Sequence, residues 1–225
     1  MGVIVNCLSI IVGSLVGIVF KKGIPERISD TVTKGVALCV LLIGVKGIMS
    51  GENTLITVIS VVLGAALGEL INIDKGINRF AKFAERKLSR GKEDTGFSTG
   101  FVSATLLFCV GAMTVVGSLN CGLGIENNTL YTKSLLDGIS SIIFASSFGI
   151  GVMFSAVPIL ITQGAIALSA HYIAPLLTTT IINEMTCVGS LLIIALSLNL
   201  LGLCKIKVAN YLPAIFIPIA LCQFM

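Results

Sequence analysis

Charged residues are scarce in this chain of 225 residues, since only 12% are Asp, Glu, Lys or Arg and 55% are hydrophobic. A soluble domain carries about 25% charged residues, so this composition could not cover the surface of a soluble protein of this size. Lipid is therefore expected to be the solvent for much of the chain. Trp is absent and Tyr occurs three times, so Lys and Arg are expected to anchor the protein at the membrane surface in place of an aromatic belt.

The residue patterns of common catalytic and metal sites are also missing. There is one His, the seven Cys show no CxxC spacing, and no GxxxxGK[ST] phosphate loop occurs. His171 and Glu184 lie near predicted helix ends, where we expect both to be solvated. Because the acids are not clustered, an intramembrane enzyme is the weakest of three function classes. We expect no catalytic residue, no metal and no cofactor.

Long apolar runs dominate what is present, and each is close to the roughly 20 residues that a membrane-spanning helix needs. They predict an all-α fold, a single polytopic transmembrane helical bundle over residues 1–225 with about eight spans. The separation of the fifth and sixth spans depends on the break at Gly149-Ile150-Gly151. The runs are 3–20, 33–50, 54–71, 99–119, 132–149, 152–172, 183–203 and 207–224.

The basic residues give these spans an orientation. With eight spans, thirteen of the fifteen Lys and Arg fall on one side, and only Lys46 and Lys133 fall toward the other. The positive-inside rule makes the richer side cytoplasmic and both termini non-cytoplasmic. Segment 72–93 is basic and amphipathic, which predicts a helix on the inner leaflet that is attracted to anionic lipid rather than to nucleic acid.

Spans 1–3 and 6–8 have similar layouts and predict an inverted repeat. Residues 36–48 can be aligned with residues 189–201, and the two triplets would have opposite orientations, as in many secondary transporters. A competing alignment places Cys109-Val110-Gly111 on Cys187-Val188-Gly189. The repeat therefore stays open at the level of sequence.

Polar side chains inside the spans are the candidate functional residues, because a polar group in hydrocarbon must find a partner or line a wet cavity. Lys133 and Asp137 are four residues apart and share a helix face, in the weaker order for a helical ion pair. Pro158 leaves the carbonyl of Phe154 without its helical donor. Interhelical hydrogen bonds and a structural ion pair are the alternative explanation. The candidate pathway residues are Asn6, Glu69, Lys133, Asp137, Ser155 and Gln163, and the candidate helix breaks are Pro158, Pro213 and Pro218.

Several of these segments carry a family resemblance. Phe108-Cys109-Val110-Gly111, the stretch 133–138 (KSLLDG) and the stretch from Gly149 to Gln163 resemble the YqgA/YdfK-type bacterial membrane proteins, which are grouped under a domain of unknown function. The resemblance spans nearly the whole chain. It implies a bacterial inner-membrane location and an all-helical fold, and it implies no substrate.

Two hypotheses of function remain. The first is a transporter or channel for a small solute or ion, in which Lys133 and Asp137 form an outer gate and Gln163 and the Phe154 carbonyl form a midplane site. The second is a non-catalytic scaffold or assembly factor, in which the close-packing spacing of Gly13 and Gly17 serves homo-oligomerisation. A Lys133–Asp137 pair sealed among apolar side chains, without a water-accessible route, would favour the scaffold.

Overall fold

The computed structural model describes residues 1–21, 26–77, 79, 97–125 and 127–224. Within these ranges all regular secondary structure is helical, in agreement with the predicted all-α class. Every predicted apolar run contains helix. The elements are α1 (Gly2–Lys21), α2 (Glu26–Ile48), α3 (Thr54–Ile71), α4 (Phe97–Cys109), α5 (Ala112–Gly122), α6 (Asn128–Phe148), α7 (Gly151–Phe154), α8 (Ala156–Leu168), α9 (Ala170–Ile173), α10 (Thr179–Leu200), the 3-10 helix Val208–Phe216 and α11 (Ile217–Leu221).

Length and hydropathy support fewer spans than the predicted eight. In the described part of the chain, four segments are long and apolar enough to cross a membrane: Gly2–Phe20, Thr54–Ile71, Gly151–Leu168 and Thr179–Leu200. The pair α4–α5 would be a fifth, but it bends by 63° at its break. Helices α2 and α6 carry charged side chains that lower their hydropathy, and the apolar stretch Val208–Leu221 is shorter than a span.

Helix α1 has one buried face and one exposed face, and the exposed face is apolar. Its inward face carries Asn6, Ile10 and Ser14, which are completely buried, and its outward face is apolar. A continuous apolar exterior would be unstable in water and is well solvated by lipid tails. The exposed outward residues of α1 are Ile4, Val5, Leu8, Val12, Leu15, Val16, Val19 and Phe20.

The chain reverses direction at the predicted break between the fifth and sixth spans. Gly149 ends α6 with φ 78° and ψ −150°, a conformation that side chains with a Cβ rarely adopt. Asp137 and Gln163 both bond to Asn6 although they are 26 residues apart. A continuous helix would separate them by about 39 Å, so α6 and α8 form a hairpin around Gly149.

Glycines set the direction and the closeness of the main helix pairs. Helices α1 and α6 run parallel, because Gly13 lies against the carbonyl of Gly138 and Gly17 against that of Ile142. Helices α2 and α10 run antiparallel, as do α3 and the 3-10 helix, where Gly68 lies against Asn210. A Cβ at these glycines would collide with a neighbouring backbone or side chain, so the small residues allow the close approach.

The three candidate helix breaks lie at helix starts or in irregular helix. Pro158 is the third residue of α8, where a backbone N–H has no helical acceptor to lose, and the interruption itself falls at Ser155. Pro213 lies inside the 3-10 helix, and Pro218 is the second residue of α11. The last predicted span is therefore a 3-10 helix followed by a short α-helix.

Only the beginning of the predicted interfacial segment 72–93 falls within the described residues. There, Ile73 and Ile77 are half-buried and Lys75 and Arg79 are exposed. Residues 80–93 lie outside the described ranges.

Candidate functional site: a buried polar cluster

Four polar side chains from three helices meet inside the bundle. Asn6 comes from α1, Lys133 and Asp137 come from α6, and Gln163 comes from α8. Asn6 and Gln163 are completely buried, and each member of the ion pair is 6% exposed. We call these four residues the polar cluster.

The ion pair at the centre of the cluster is bidentate. Lys133 Nζ lies 3.0 Å from Asp137 Oδ1 and 2.8 Å from Asp137 Oδ2. Taking two charges out of a polar solvent is expensive, and their attraction compensates only when the geometry is good and the remaining polar atoms are bonded. Such a pair is weak evidence for stability, so its burial needs another reason.

The two amides extend the pair into α1 and α8. Asn6 Nδ2 donates to Asp137 Oδ2 at 3.1 Å and to Gln163 Oε1 at 3.3 Å. A carboxylate only accepts hydrogen bonds, so Asn6 must turn its NH₂ group toward Asp137, and Gln163 must then turn its oxygen toward Asn6. This orientation leaves Asn6 Oδ1 and Gln163 Nε2 buried without a partner. The two amides therefore have one acceptor atom and one donor atom without a partner.

The close contact of α1 and α6 holds Asn6 against Asp137. Ser9 Oγ on α1 donates to the Ser134 carbonyl on α6 at 2.6 Å, and Gly138 faces the Ser9 hydroxyl. Because Gly138 follows Asp137 directly, the absence of a side chain there lets α1 pack against α6 next to the carboxylate. The sequence KSLLDG thus supplies the charges and also the space for the neighbouring helix.

A helix break that the sequence did not indicate lies beside the cluster. The predicted span 99–119 is interrupted between Cys109 and Ala112, where Gly111 has φ 120°. Cys109 Sγ lies 3.4 Å from the hydroxyl of Thr162, the neighbour of Gln163. No proline marks this break, and Gly111 was the only available signal for it.

Apolar side chains close the bundle on the side of the cluster where α6 ends. The rings of Phe108 and Phe144 are 6.4 Å apart, those of Phe144 and Phe148 are 5.8 Å apart, and the buried Ile10 belongs to the same apolar cluster. Ser14 and Ser141 lie on the cluster's own helix faces toward this end, and both are buried with no partner for their hydroxyls. Two unpaired buried hydroxyls therefore lie between the cluster and the aromatic rings.

Two candidate pathway residues lie apart from the cluster. Ser155 Oγ donates to the Val152 carbonyl at 2.7 Å, and Ser155 is eight residues from Gln163, about 12 Å along a helix. Phe154, whose carbonyl was predicted to form a midplane site with Gln163, is the last residue of α7, nine residues before Gln163 in α8. Glu69 is more than half exposed near the end of α3, where it bonds to Lys207 Nζ at 3.0 Å and to Asn210.

Glu184 is not solvated as expected but completely buried. Its Oε1 accepts hydrogen bonds from the backbone N–H groups of Glu52 and Asn53, at 2.7 and 2.8 Å. The turn between α2 and α3 folds onto α10, and the carboxylate satisfies two donors at the start of α3. Its Oε2 has no partner. By contrast, His171 is exposed, as expected.

Other features of the described residues lie outside the polar cluster. A cavity of about 190 Å³ lies near the start of α4, and no residue of the polar cluster lines it. Its lining residues are Asp74, Ser98, Thr99, Val102, Leu196, Asn199, Leu200, Ile206, Val208 and Ala209. Among the side chains described, no three His, Cys, Asp or Glu residues are grouped as a metal site would require.

Comparisons with known proteins agree with the resemblance seen in the sequence. The family described as "Protein of unknown function (DUF554)" matches residues 1–223. The chain is 34% identical over 221 residues to "Uncharacterized membrane protein YdfK" of Bacillus subtilis (strain 168), covering 96% of this chain and 93% of that protein. It is 30% identical over 223 residues to "Uncharacterized protein YqgA" of Escherichia coli (strain K12), covering 98% and 95%. No solved structure matches the chain.

Proposed function

This chain belongs to the DUF554 family, and we propose that it is an integral membrane transporter or channel for a small solute or ion. The supporting observation is the polar cluster. Four polar side chains are buried at the meeting point of three helices, and two of their atoms have no partner. Intramembrane ionisable groups are costly and generally mark a substrate or ion pathway.

The apolar exterior and the relative directions of the helices support a bundle of eight crossings. The parallel pair α1 and α6 requires an odd number of crossings between them. Helices α2 and α3 supply two, so the bent pair α4–α5 supplies the third as one broken span. The broken span α4–α5 and helix α8 run parallel, because Cys109 of α4 meets Thr162 and Gly122 of α5 meets Ala167. In a bundle of eight alternating spans, α4–α5 is the fourth span and α8 is the sixth, so these two are also expected to run parallel.

The last crossing, Val208–Leu221, has fewer residues than a membrane-spanning α-helix, but its 3-10 helix is longer per residue than an α-helix. A 3-10 helix rises about 2.0 Å per residue and an α-helix about 1.5 Å. The stretch Val208–Leu221 is therefore about 25 Å long, which is close to the thickness of the hydrocarbon core. Proline is compatible with such a segment, because the irregular backbone is covered by α3 and α10.

The inverted repeat gains support from the same contacts. Each of the spans 1, 2 and 3 packs antiparallel against its proposed counterpart, namely span 6, 7 or 8. The contacts are Asn6 with Gln163, Gly44 with Ile194 and Gly64 with Ala214. Broken helices and paired repeats around a buried polar site are typical of secondary transporters.

We also propose the bacterial inner membrane as the location, with both termini non-cytoplasmic. Lys205 and Lys207 follow α10 at the same end of the bundle as Lys75 and Arg79, because Asp74 bonds to Asn210 there. This end would face the cytoplasm, with segment 72–93 on anionic lipid. A carboxyl-terminal alkaline phosphatase fusion should be active and a green fluorescent protein fusion dark. The reverse result would invert the orientation.

The test of transport asks whether the cluster is reached by water from both sides. In a variant without native cysteines, Gln163→Cys should react with a charged, membrane-impermeant thiol reagent applied to either face of sealed vesicles. Ile159→Cys is the matched control, because Ile159 is equally buried on the same helix, one turn away, and packs among apolar residues. It should stay unreactive.

A non-catalytic scaffold is the alternative, and one observation favours it. The ion pair is almost sealed, and the aromatic rings close one side of the cluster. If Gln163→Cys in the folded protein reacts from neither side, no route exists and the scaffold explains the chain better. A homo-oligomer would then use surfaces other than Gly13 and Gly17, because these glycines pack against α6 of the same chain.

A further inference from the structure

We propose that the polar cluster binds a small zwitterion of the α-amino-acid class, which deepens and rests on the transport function proposed above. The ligand's carboxylate would bind Lys133 and Gln163, and its ammonium group would bind Asp137 and Asn6. Each of the four side chains of the polar cluster would then contact one of the two charged groups of the ligand.

The two unpartnered atoms identify the first requirement of the ligand. The carboxylate of Asp137 fixes the orientation of both amides, so the unused positions are an acceptor on Asn6 and a donor on Gln163. A ligand that satisfies both must present a donor and an acceptor of its own. An ammonium group supplies the donor for Asn6 Oδ1, and a carboxylate supplies the acceptor for Gln163 Nε2.

The charge balance identifies the second requirement. The cluster contains one cation and one anion, and it is neutral as a whole. A bound cation or anion alone would leave an uncompensated charge in a buried site, which is strongly unfavourable. A zwitterion exchanges the internal Lys133–Asp137 pair for two external pairs without any change in net charge.

The packing of the helices limits the size of the ligand. Helices α1 and α6 are in backbone contact through Gly13 and Gly17, and Ser9 bonds to α6. They cannot separate without losing these contacts. Room must therefore come from α8, which is interrupted at Ser155 and touches the α4–α5 break through Thr162. Such an opening suits glycine, alanine or serine better than large amino acids.

The test is binding to the purified full-length protein in detergent, with glycine, L-alanine and L-serine as probes. We expect saturable binding of at least one of them, measured by calorimetry and by an increase in the unfolding temperature. Acetate and methylammonium each carry only one of the two charges, and glycinamide keeps the ammonium group but has no carboxylate. All three should bind at least ten-fold more weakly. The proposal is overturned if none of the amino acids binds, or if a singly charged probe binds equally well.

Variants of the two amides test their proposed contacts with the ligand while the Lys133–Asp137 ion pair stays in place. Asn6→Leu and Gln163→Leu should each weaken binding of the amino acid at least ten-fold while the protein stays folded. Asp30→Asn, on the exposed surface of α2, should leave binding unchanged. Unchanged affinity in both cluster variants would contradict the assignment.

The two proposals fail in different ways. If amino acids bind as expected but are not moved into liposomes that contain the protein, transport is wrong and the binding site stands. If Gln163→Cys is reached from both sides and no amino acid binds, the ligand class is wrong and transport stands.

Discussion

Helices α2 and α6 each contain an Asp–Lys ion pair at i,i+4 spacing followed by a glycine, in opposite charge order and in two different environments. In α2, Asp30 and Lys34 form an ion pair at 2.7 Å, and Gly35 follows. In α6, Lys133 and Asp137 form one at 2.8 Å, and Gly138 follows. The side chains of the first pair are 58% and 64% exposed, and those of the second are 7% and 8% exposed.

The contrast shows that spacing and distance alone do not give an ion pair its role. An exposed pair contributes about 0–1 kcal/mol to stability, because water screens it. A buried pair strongly destabilises the fold when one partner is lost. The glycines that follow the two pairs, Gly35 and Gly138, also differ in their surroundings. A Cβ on Gly35 would meet no atom within 4 Å, whereas one on Gly138 would collide with Ser9.

The largest expected effect comes from removing one charge of the buried pair. Asp137→Asn should lower the free energy of unfolding by about 3–5 kcal/mol, because it leaves Lys133 buried without a counter-ion. The matched change Asp30→Asn should cost at most about 0.5 kcal/mol. Equilibrium unfolding in mixed detergent measures both. Equal effects would break the comparison and mean that the buried pair is reached by water.

The second largest effect on stability is expected from replacing the glycine that follows the buried pair. Gly138→Ala should destabilise the protein by about 2–3 kcal/mol, in the range of overpacked core positions, because the new methyl group forces α1 away from α6. It should also weaken binding at the polar cluster, since Asn6 moves away from Asp137. Gly35→Ala should stabilise α2 by about 0.5–1 kcal/mol, because alanine is the better helix former and has room there. A neutral Gly138→Ala would show that the α1–α6 contact adapts.

Substitutions of Glu184 test whether burial alone, or pairing with a charged partner, determines how much stability is lost when a carboxylate is removed. It is buried like Asp137, but its Oε1 accepts hydrogen bonds from the backbone N–H groups of Glu52 and Asn53. Glu184→Ala should cost about 2 kcal/mol, because two donors at the start of α3 lose their acceptor. Glu184→Gln keeps an accepting oxygen and should cost about 1 kcal/mol. A loss in Glu184→Gln as large as in Asp137→Asn would mean that the charge itself is required.

Much of the fold could be predicted because hydrocarbon imposes simple rules on sequence. The run 54–71 coincides with α3, and the break at Gly149 could be placed because two glycines interrupt an apolar stretch. The break at Gly111 could not, since it has one glycine and no proline or charge. The break lies where Cys109 contacts Thr162, a residue that is distant in sequence.

The site could be predicted only where its geometry is local. The pairing of Lys133 with Asp137 follows from helical spacing. The joining of Asn6 and Gln163 to that pair depends on the α1–α6 contact and on the α6–α8 hairpin. The expected solvation of Glu184 was wrong, because a position near a helix end does not reveal that a neighbouring turn folds over it. Glu69 lies apart because α3 pairs with the 3-10 helix rather than with α6.

The smallest expected change in stability comes from removing both charges of the buried pair, and it separates stability from function. Lys133→Met with Asp137→Leu should lie within about 1 kcal/mol of the wild-type free energy of unfolding, because apolar side chains replace a buried pair at little or no cost. Binding of glycine, L-alanine or L-serine should nevertheless fall at least ten-fold, since both charged partners of the zwitterion are gone. The same exchange at Asp30 and Lys34 should change neither quantity. A double variant that still binds as well as the wild type would make the buried pair a structural feature and remove the functional difference between α2 and α6.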